Sequence, residues 1–391
     1  MKKIVCTAML LISIFTLAAC GGKDTNTTGI TIEVYNWGEY ISDGADESLD
    51  VIAEFEEETG ISVHYTTFAN NEEMYTKITE GGVQYDVIIP SDYTIARMIN
   101  EGVIDKLNYS NIPNASYIGD IYKGLEYDPQ DEYSVPYMSG IVGIIYNKTM
   151  VNGTIDSWSA LWDEQYSGNI LMFDNPRDAF GIALLKLGYS VNTTNINELA
   201  EAAEELKKQK PLVQAYVMDQ IFNKMGAGQA ALAPYYAGDA ITMMADNPDL
   251  AFAIPKEGTN YFVDAMVIPK GSKNKAAAEA FINYMCKPEV SAANAEYIGY
   301  STPIPEARDM LDLDAGTMAI AYPSDEIMAN TEVFKHLPDA TNDLMSQYWV
   351  EIKSQNETTQ KWITPVILGA LLVAAVAIIV VRSRKKKKAS Y

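Results

Sequence analysis

Apolar residues follow two different periods along the chain after its amino-terminal region. Short, nearly continuous apolar runs predict strands, and apolar residues spaced three or four apart predict helices between them. The predicted order is a strand at 30–35, a helix at 48–58, a strand at 61–66, a helix at 71–80 and a strand at 85–89. Gly60, Gly81 and Pro90 provide the expected stops. Strand and helix in alternation are typical of a parallel α/β sheet.

The later part of the chain repeats this pattern. Asn195 and Glu198 form a capping box ahead of a helix whose apolar residues share one face. Further strands are predicted at 212–217, 230–233, 250–254 and 264–268. About 325 residues without a repeat or a low-complexity break are too many for one compact core, so two domains are expected.

The amino-terminal segment is typical of a lipoprotein signal. Lys2 and Lys3 precede an apolar run, and small residues lead to Cys20. We therefore predict a cleaved signal at 1–19, a lipidated Cys20, and a polar tether over 20–29.

A second membrane anchor is predicted near the other end of the chain. The segment 362–381 is long and apolar enough to cross a bilayer as a helix, and Trp362 stands at its start. The tail 382–391 carries six basic residues, which places it on the cytoplasmic side by the positive-inside rule. The body between the two anchors is therefore expected at the cell membrane, facing the extracytoplasmic side.

Charge and composition exclude several classes of partner. The chain has 52 acidic and 29 basic residues, and eight of the basic ones lie in the two predicted end segments. Such an acidic body repels nucleic acid and attracts cations. With His64 and His336 as the only histidines, it offers little for a transition-metal site. Cys286, flanked by an apolar helical face, is expected to be a buried, inert thiol.

Aromatic and acidic residues gather directly after the predicted strands. In open α/β sheets, ligands bind at the carboxyl ends of the strands. Ring faces and carboxylates together suit an organic cation, because rings attract ammonium groups and carboxylates pair with them. The clusters that follow strands are Asn36–Tyr40, Pro90–Tyr93, Asp174–Asp178 and Pro234–Asp239, and a further cluster, Phe262–Asp264, introduces a strand.

Because of these clusters and other short motifs, residues 30–353 resemble a known protein family. The stretches that carry it are Tyr35–Tyr40, Glu57–Gly60, Tyr85–Ser91, Ser134–Tyr137, Gly143, Tyr146–Asn147, Ser157–Trp158, Leu161–Trp162, Leu187–Ser190, Pro255–Gly258 and Ile298–Pro303. In order and spacing they resemble the spermidine/putrescine-binding protein family, the extracytoplasmic receptors of ABC polyamine importers. The resemblance implies an α/β, two-lobed periplasmic-binding-protein-like (type II) fold with hinge strands. Lobe 1 would comprise 30–140 and 264–308, and lobe 2 would comprise 141–263 and 309–356.

The resemblance also implies a ligand site between the lobes, with Asp264 as the principal amine-recognising residue. The implied ligand-binding residues are Trp37, Glu39, Tyr40, Ser91, Tyr93, Asn175, Asp178, Tyr235, Phe262, Asp264 and Tyr300. Several positions depart from the family pattern. Asn175 replaces an expected carboxylate unless Asp174 turns inward, Phe262 and Tyr235 replace indoles, and Phe334 stands near an expected polar residue. Fewer carboxylates suit a diamine at least as well as a triamine.

The resemblance implies that the protein captures a polyamine, putrescine or spermidine, and delivers it to ABC permease subunits. Membrane lipid is expected as a further partner, and no cofactor is expected. Three alternatives stay open: a same-fold binding protein for another small organic cation or metal, a polyamine-sensing receptor, and an enzyme. An enzyme is disfavoured because the chain lacks a Ser-His-Asp pattern, a P-loop and a dinucleotide fingerprint.

Overall fold

The structure, a computed structural model, describes residues 29–354. The predicted signal, Cys20, the 362–381 segment and the basic tail lie outside these residues. Among the helices of 29–354, none is both long and apolar enough to cross a membrane.

Helices and strands alternate through the described chain. The strands are β1 Thr31–Trp37, β2 Ser62–Phe68, β3 Val87–Ile88, β4 Ile104–Asp105, β5 Ser134–Asn147, β6 Ile170–Phe173, β7 Val213–Val217, β8 Leu232–Tyr236, β9 Leu250–Ala253, β10 Thr259–Pro269 and β11 Thr331–Val333. The helices are α1 Val51–Thr59, α2 Asn71–Glu80, α3 Asp92–Glu101, α4 Pro176–Leu187, α5 Ile196–Gln209, α6 Gln220–Gly226, α7 Ala237–Asp246, α8 Lys275–Met285, α9 Pro288–Ile298, α10 Pro305–Arg308, α11 Ala315–Ala321, α12 Asp325–Met328 and α13 at 339–354.

The strands form one mixed sheet in the order β2-β1-β3-β10-β5-β8-β6-β7, with β4 and β11 beside β10 and β9 beside β5. The predicted parallel unit is confirmed, because β1 is parallel to both β2 and β3. In contrast, β10 is antiparallel to both β3 and β5. The two long antiparallel strands thus join two parallel units into a single sheet.

Strand β5 passes from one lobe into the other. Its first half pairs with β10, and its second half pairs with β8 and β9. Val135 and Met138 pack into a core with Phe55 and Phe281, whereas Ile144 packs into a separate core built around other elements. That second core contains the fully buried side chains Trp158, Phe173 and Phe180. The expected two-lobed α/β fold is therefore present.

Strand β8 extends further than the sequence predicted. Pro234 was expected to end a strand at 233, yet β8 continues to Tyr236. Its neighbour β6 pairs with β8 only at Leu232, so the missing N–H of Pro234 removes no hydrogen bond on that side. Strand β10 likewise begins at Thr259, before the predicted start at 264, and Phe262 therefore lies within it.

Of two local sequence predictions, the first is confirmed only as a helix cap and not as a reciprocal capping box. The side chain of Asn195 caps α5 by accepting a hydrogen bond from the Asn197 backbone N–H, whereas Glu198 accepts from the Asn195 side-chain amide rather than from its backbone N–H. The second prediction, an inert buried thiol, is confirmed. Cys286 is buried at the end of α8, and burial raises the pKa of its thiol to about 12, so it is not a reactive thiolate at neutral pH.

The crossing strand leaves no room for a side chain at Gly143. A Cβ there would lie 2.3 Å from the Phe252 ring and 2.7 Å from the Ala253 carbonyl oxygen on β9. We expect Gly143→Ala to destabilise the protein by about 1–3 kcal/mol, because the β9 backbone must shift. Chemical denaturation would measure this. Gly226→Ala is the matched control, since no atom lies within 4 Å of its added Cβ, and an equal loss in both variants would contradict the argument.

Candidate ligand-binding site

A narrow cavity lies between the two lobes, at the ends of β1, β3, β7 and β8. Its atom-free space is about 620 Å³, including the part that opens to solvent. The residues that line it are Trp37, Gly38, Tyr40, Asn71, Ser91, Asp92, Tyr93, Asn175, Asp178, Met218, Asp219, Tyr235, Tyr236, Asp239, Asn260, Phe262, Asp264, Tyr300 and Phe334. Ten of the eleven sequence-predicted residues are in this set. Glu39 is not, because it lies in the first loop with an exposed side chain and a φ of +50°.

The loop after β1 is held by buried hydrogen bonds. The Asn36 side chain accepts from the Trp37 backbone N–H and donates to the Tyr40 carbonyl oxygen. That same carbonyl accepts a 2.8 Å hydrogen bond from the Tyr137 hydroxyl on β5. Trp37 and Tyr40 are therefore fixed at the cavity before any ligand arrives.

The turn after β3 places three consecutive side chains at the cavity. Ser91 precedes α3 as its N-cap residue, and Asn71 at the start of α2 hydrogen-bonds both Ser91 and Tyr93. Asp92 is 1% exposed and accepts backbone hydrogen bonds from Tyr93 and from Val263 on β10. Burial raises the pKa of Asp92 to about 8, although these two bonds favour its ionised form.

Asp264 lies on β10 opposite this turn. Its Oδ2 accepts a 2.8 Å hydrogen bond from the Tyr40 hydroxyl, and its backbone forms a bridge with Ser91. Its Oδ1 has no hydrogen-bond partner, even though the residue is almost fully buried, with 4% of its surface exposed. Burial raises the pKa of Asp264 to about 6, while Ser91 and Tyr40 oppose that rise. A buried carboxylate oxygen without a partner is costly and is therefore a ready acceptor for a charged donor.

A second carboxylate stands at the start of α4. Asp178 accepts hydrogen bonds from the Asn175 amide at 2.6 Å and from the Tyr236 hydroxyl at 2.9 Å. Burial raises its pKa to about 7; the Tyr236 hydroxyl lowers it, and the charge of Asp264 raises it further. Asn175, which departs from the family pattern, thus supports the neighbouring carboxylate and also caps the helix.

The basic residue of this segment points away from the cavity. The Arg177 guanidinium donates to the carbonyl oxygens of Val191 and Lys335 and packs 4.3 Å from the Phe334 ring. Asp174 forms an ion pair with Lys353 and does not line the cavity, so it does not replace the missing carboxylate. None of the lining side chains, all of them within 29–354, is a Lys or Arg.

Aromatic rings form a continuous wall along the cavity. Tyr235, Tyr236, Phe262, Tyr300 and Tyr40 follow one another with centroid separations of 4.7–6.2 Å. Such a slot, rings along its length and carboxylates at separated points, suits a thin alkyl chain with several positive charges.

Seven lining residues besides Gly38 and Phe334 were absent from the predicted set. They are Asn71, Asp92, Met218, Asp219, Tyr236, Asp239 and Asn260. Asp92, Tyr236 and Asp239 lay inside the aromatic and acidic clusters but were not selected. Asp219 directly follows β7, so the strand-end rule applied there would have found it. No sequence signal marked Asn71 or Asn260.

The carboxylates that line the cavity do not form a cluster. Within the described residues, no group of three or more His, Cys, Asp or Glu side chains is placed to hold a metal ion. The carboxylates are instead separated by aromatic rings and supported by tyrosine hydroxyls.

Comparison with known proteins gives one consistent answer. The model of the bacterial extracellular solute-binding protein family matches residues 50–330. A spermidine/putrescine-binding periplasmic protein of Escherichia coli is 34% identical over 340 residues, which are 86% of this chain and 94% of that protein. A putrescine-binding periplasmic protein of Pseudomonas aeruginosa is 32% identical, over 83% of this chain and 92% of its own.

A solved structure shares both the sequence and the fold. A putative spermidine/putrescine ABC transporter protein from Listeria monocytogenes is 40% identical, with a TM-score of 0.78, over 83% of this chain and 98% of its own. These matches extend over most of the chain, and the family consists of solute-binding proteins rather than enzymes. The chain therefore belongs to the bacterial extracellular solute-binding proteins and, among them, to the spermidine/putrescine-binding protein family that its motifs resemble.

Proposed function

We propose that this protein captures a polyamine outside the cytoplasm and delivers it to the permease of an ABC importer. The observation that carries the proposal is Asp264, a buried carboxylate with one unpartnered oxygen in a cavity without Lys or Arg. The relatives named for binding spermidine or putrescine support the same ligand class.

Capture would use the cavity without any chemical step. One ammonium group pairs with Asp264 and another with Asp178, and each carboxylate keeps its tyrosine hydroxyl partner. The methylene groups lie along the rings of Phe262 and Tyr235. Trp37, Tyr40, Ser91, Tyr93, Asn175 and Tyr300 complete the proposed ligand-binding set. Glu39, whose exposed side chain does not line the cavity, is left out of it. Closure of the two lobes then removes water from these contacts and strengthens them.

Retention at the membrane is the second part of the proposal. Cys20 would carry a lipid, and 362–381 would span the bilayer with the tail 382–391 in the cytoplasm. The two anchors would keep the protein beside its permease.

We propose the lobe boundaries implied by the resemblance, with 30–140 and 264–308 in lobe 1 and 141–263 and 309–356 in lobe 2.

Calorimetric titration of the purified full-length protein with putrescine and with spermidine tests this function. We expect one molecule to bind per chain and to be recovered chemically unchanged. Sulfate and a neutral sugar serve as controls and should not bind. The cavity has no Lys or Arg to pair with sulfate, and a sugar has no positive charge to pair with the buried carboxylates. Absence of binding for both polyamines, or preference for another cation or a metal, would contradict the proposal.

A further inference from the structure

The cavity has a third acidic region, separate from Asp178. Asp239, in the first turn of α7, is 8% exposed and lines the cavity together with Asp219. Burial raises the pKa of Asp239 well above its ordinary value; the Tyr300 hydroxyl opposes that rise, and the charges of Asp219, Glu39 and Asp264 add to it.

Hydrogen bonds and ring contacts place the carboxylates at different points along the aromatic wall. The Tyr236 hydroxyl donates to Asp178 near one end of the ring series, and the Tyr40 hydroxyl donates to Asp264 at the other end. Asp219 lies against Gly38, in the same loop as Tyr40, and is therefore at the Asp264 end of the cavity, away from Asp178.

Asp219 reaches across from lobe 2 to the backbone of lobe 1. It follows β7, and its carboxylate occupies the space next to Gly38 in the loop after β1. A Cβ added to Gly38 would lie 2.3 Å from Asp219 Oδ2 and 3.1 Å from its Cγ. Gly38 is not in the left-handed region, so its backbone conformation does not require glycine there. A side chain at this position would instead meet the Asp219 carboxylate where it now lies.

We infer that Asp219, admitted by Gly38, is a specificity-determining residue that gives the cavity a third anionic position and favours a triamine over a diamine. This inference rests on the proposed polyamine-binding function. A diamine satisfies its two ammonium groups at Asp264 and Asp178. A triamine has one more ammonium group, and its binding gains from the carboxylates at the far end.

The test compares spermidine, a triamine, with putrescine, a diamine, on the full-length protein by calorimetry. We expect Asp219→Asn to weaken spermidine binding about tenfold, or about 1.4 kcal/mol, because a charge-assisted contact at a partly exposed site is lost. Putrescine binding should change less than about twofold. Asp246→Asn is the matched control: Asp246 ends the lobe-2 helix α7, is exposed, and does not line the cavity. It removes the same charge from the lobe and should leave the ratio of the two affinities unchanged.

The possible results distinguish the role of Asp219 from the proposed polyamine-binding function. Equal losses for both polyamines, no loss for spermidine, or the same change in Asp246→Asn would overturn the role of Asp219 while leaving polyamine capture intact. A wild-type protein that binds neither polyamine would instead contradict the proposed function.

Gly38 is tested through its coupling to Asp219. Gly38→Ala should displace the carboxylate and reduce spermidine affinity by a similar factor, and adding Asp219→Asn to it should cause little further loss. Additive losses in the double variant would overturn the positioning role of Gly38.

Discussion

Replacing Asp264 by asparagine is expected to weaken polyamine binding by roughly a hundredfold to several thousandfold. The variant keeps the shape of the side chain and an acceptor for the Tyr40 hydroxyl, but it removes the charge that pairs with a buried ammonium group. Loss of one partner from a buried ion pair costs about 3–5 kcal/mol, which corresponds to that range. Calorimetric titration with putrescine and spermidine measures the loss.

The stability of the empty protein provides the control for this variant. The pKa of Asp264 is raised to about 6 in the folded state, so the group is ionised at pH 8. Keeping it ionised there costs folding free energy relative to the unfolded chain, where its pKa is lower. Asparagine removes that penalty, and the empty variant should be at least as stable as the wild type, by on the order of 1–3 kcal/mol at most. Weak binding in a destabilised variant would point to damaged packing, and unchanged affinity in a stable one would rule out Asp264 as the ammonium partner.

Polyamine affinity is expected to fall by about a hundredfold between pH 8 and pH 5.5. The pKa of Asp264 is raised to about 6 and that of Asp178 to about 7, so both carboxyl groups take up protons as the pH falls through this window. Alkyl ammonium groups stay protonated throughout. Because the ligand binds the ionised carboxylates, lower pH makes binding compete with protonation.

The same argument predicts release of protons on binding near pH 6.5. The number of released protons is measured by comparing the binding enthalpy in two buffers that have different ionisation enthalpies and the same ionic strength. Asp264→Asn should release fewer than the wild type does. Proton uptake, or an affinity independent of pH, would contradict the assignment of these two carboxyl groups to the ligand.

The stability of the empty protein depends on pH in the opposite direction because of the same two groups. A carboxyl group whose pKa is raised in the folded state lowers the free energy of unfolding at pH values above that pKa. The penalty disappears as the pH falls towards the pKa that the group has in the unfolded chain. A saturating polyamine offsets the penalty at pH 8, because the ligand supplies the missing positive charges.

Local periodicity was sufficient to predict the first parallel unit of the fold. The strands and helices from β1 to β3 appear in the predicted order, and α2 has the predicted bounds. The antiparallel pairing of β5 with β10 was not predictable in this way. These strands are more than 100 residues apart in the chain, and their pairing depends on tertiary contacts rather than on local pattern.

The strand-end rule found most of the candidate site but not its finer chemistry. It brought Trp37 and Asp178 together in one cavity, whereas Asp264 lies within β10 and was predicted from the family resemblance. It did not show that Tyr236 rather than Tyr235 donates to Asp178, because adjacent strand residues point to opposite faces and the register was unknown. Nor did it show that Arg177 is engaged by backbone carbonyls elsewhere.

Strand β5, shared by both lobes, has a consequence for resistance to proteolysis. Because its two halves pair with strands of different lobes within one sheet, neither lobe can open fully without disturbing a strand of the other. A ligand bound at the junction would thus protect loops far from the cavity against proteases, since proteases cut locally opened chains. The lifetime of the protein would then rise with the supply of its ligand.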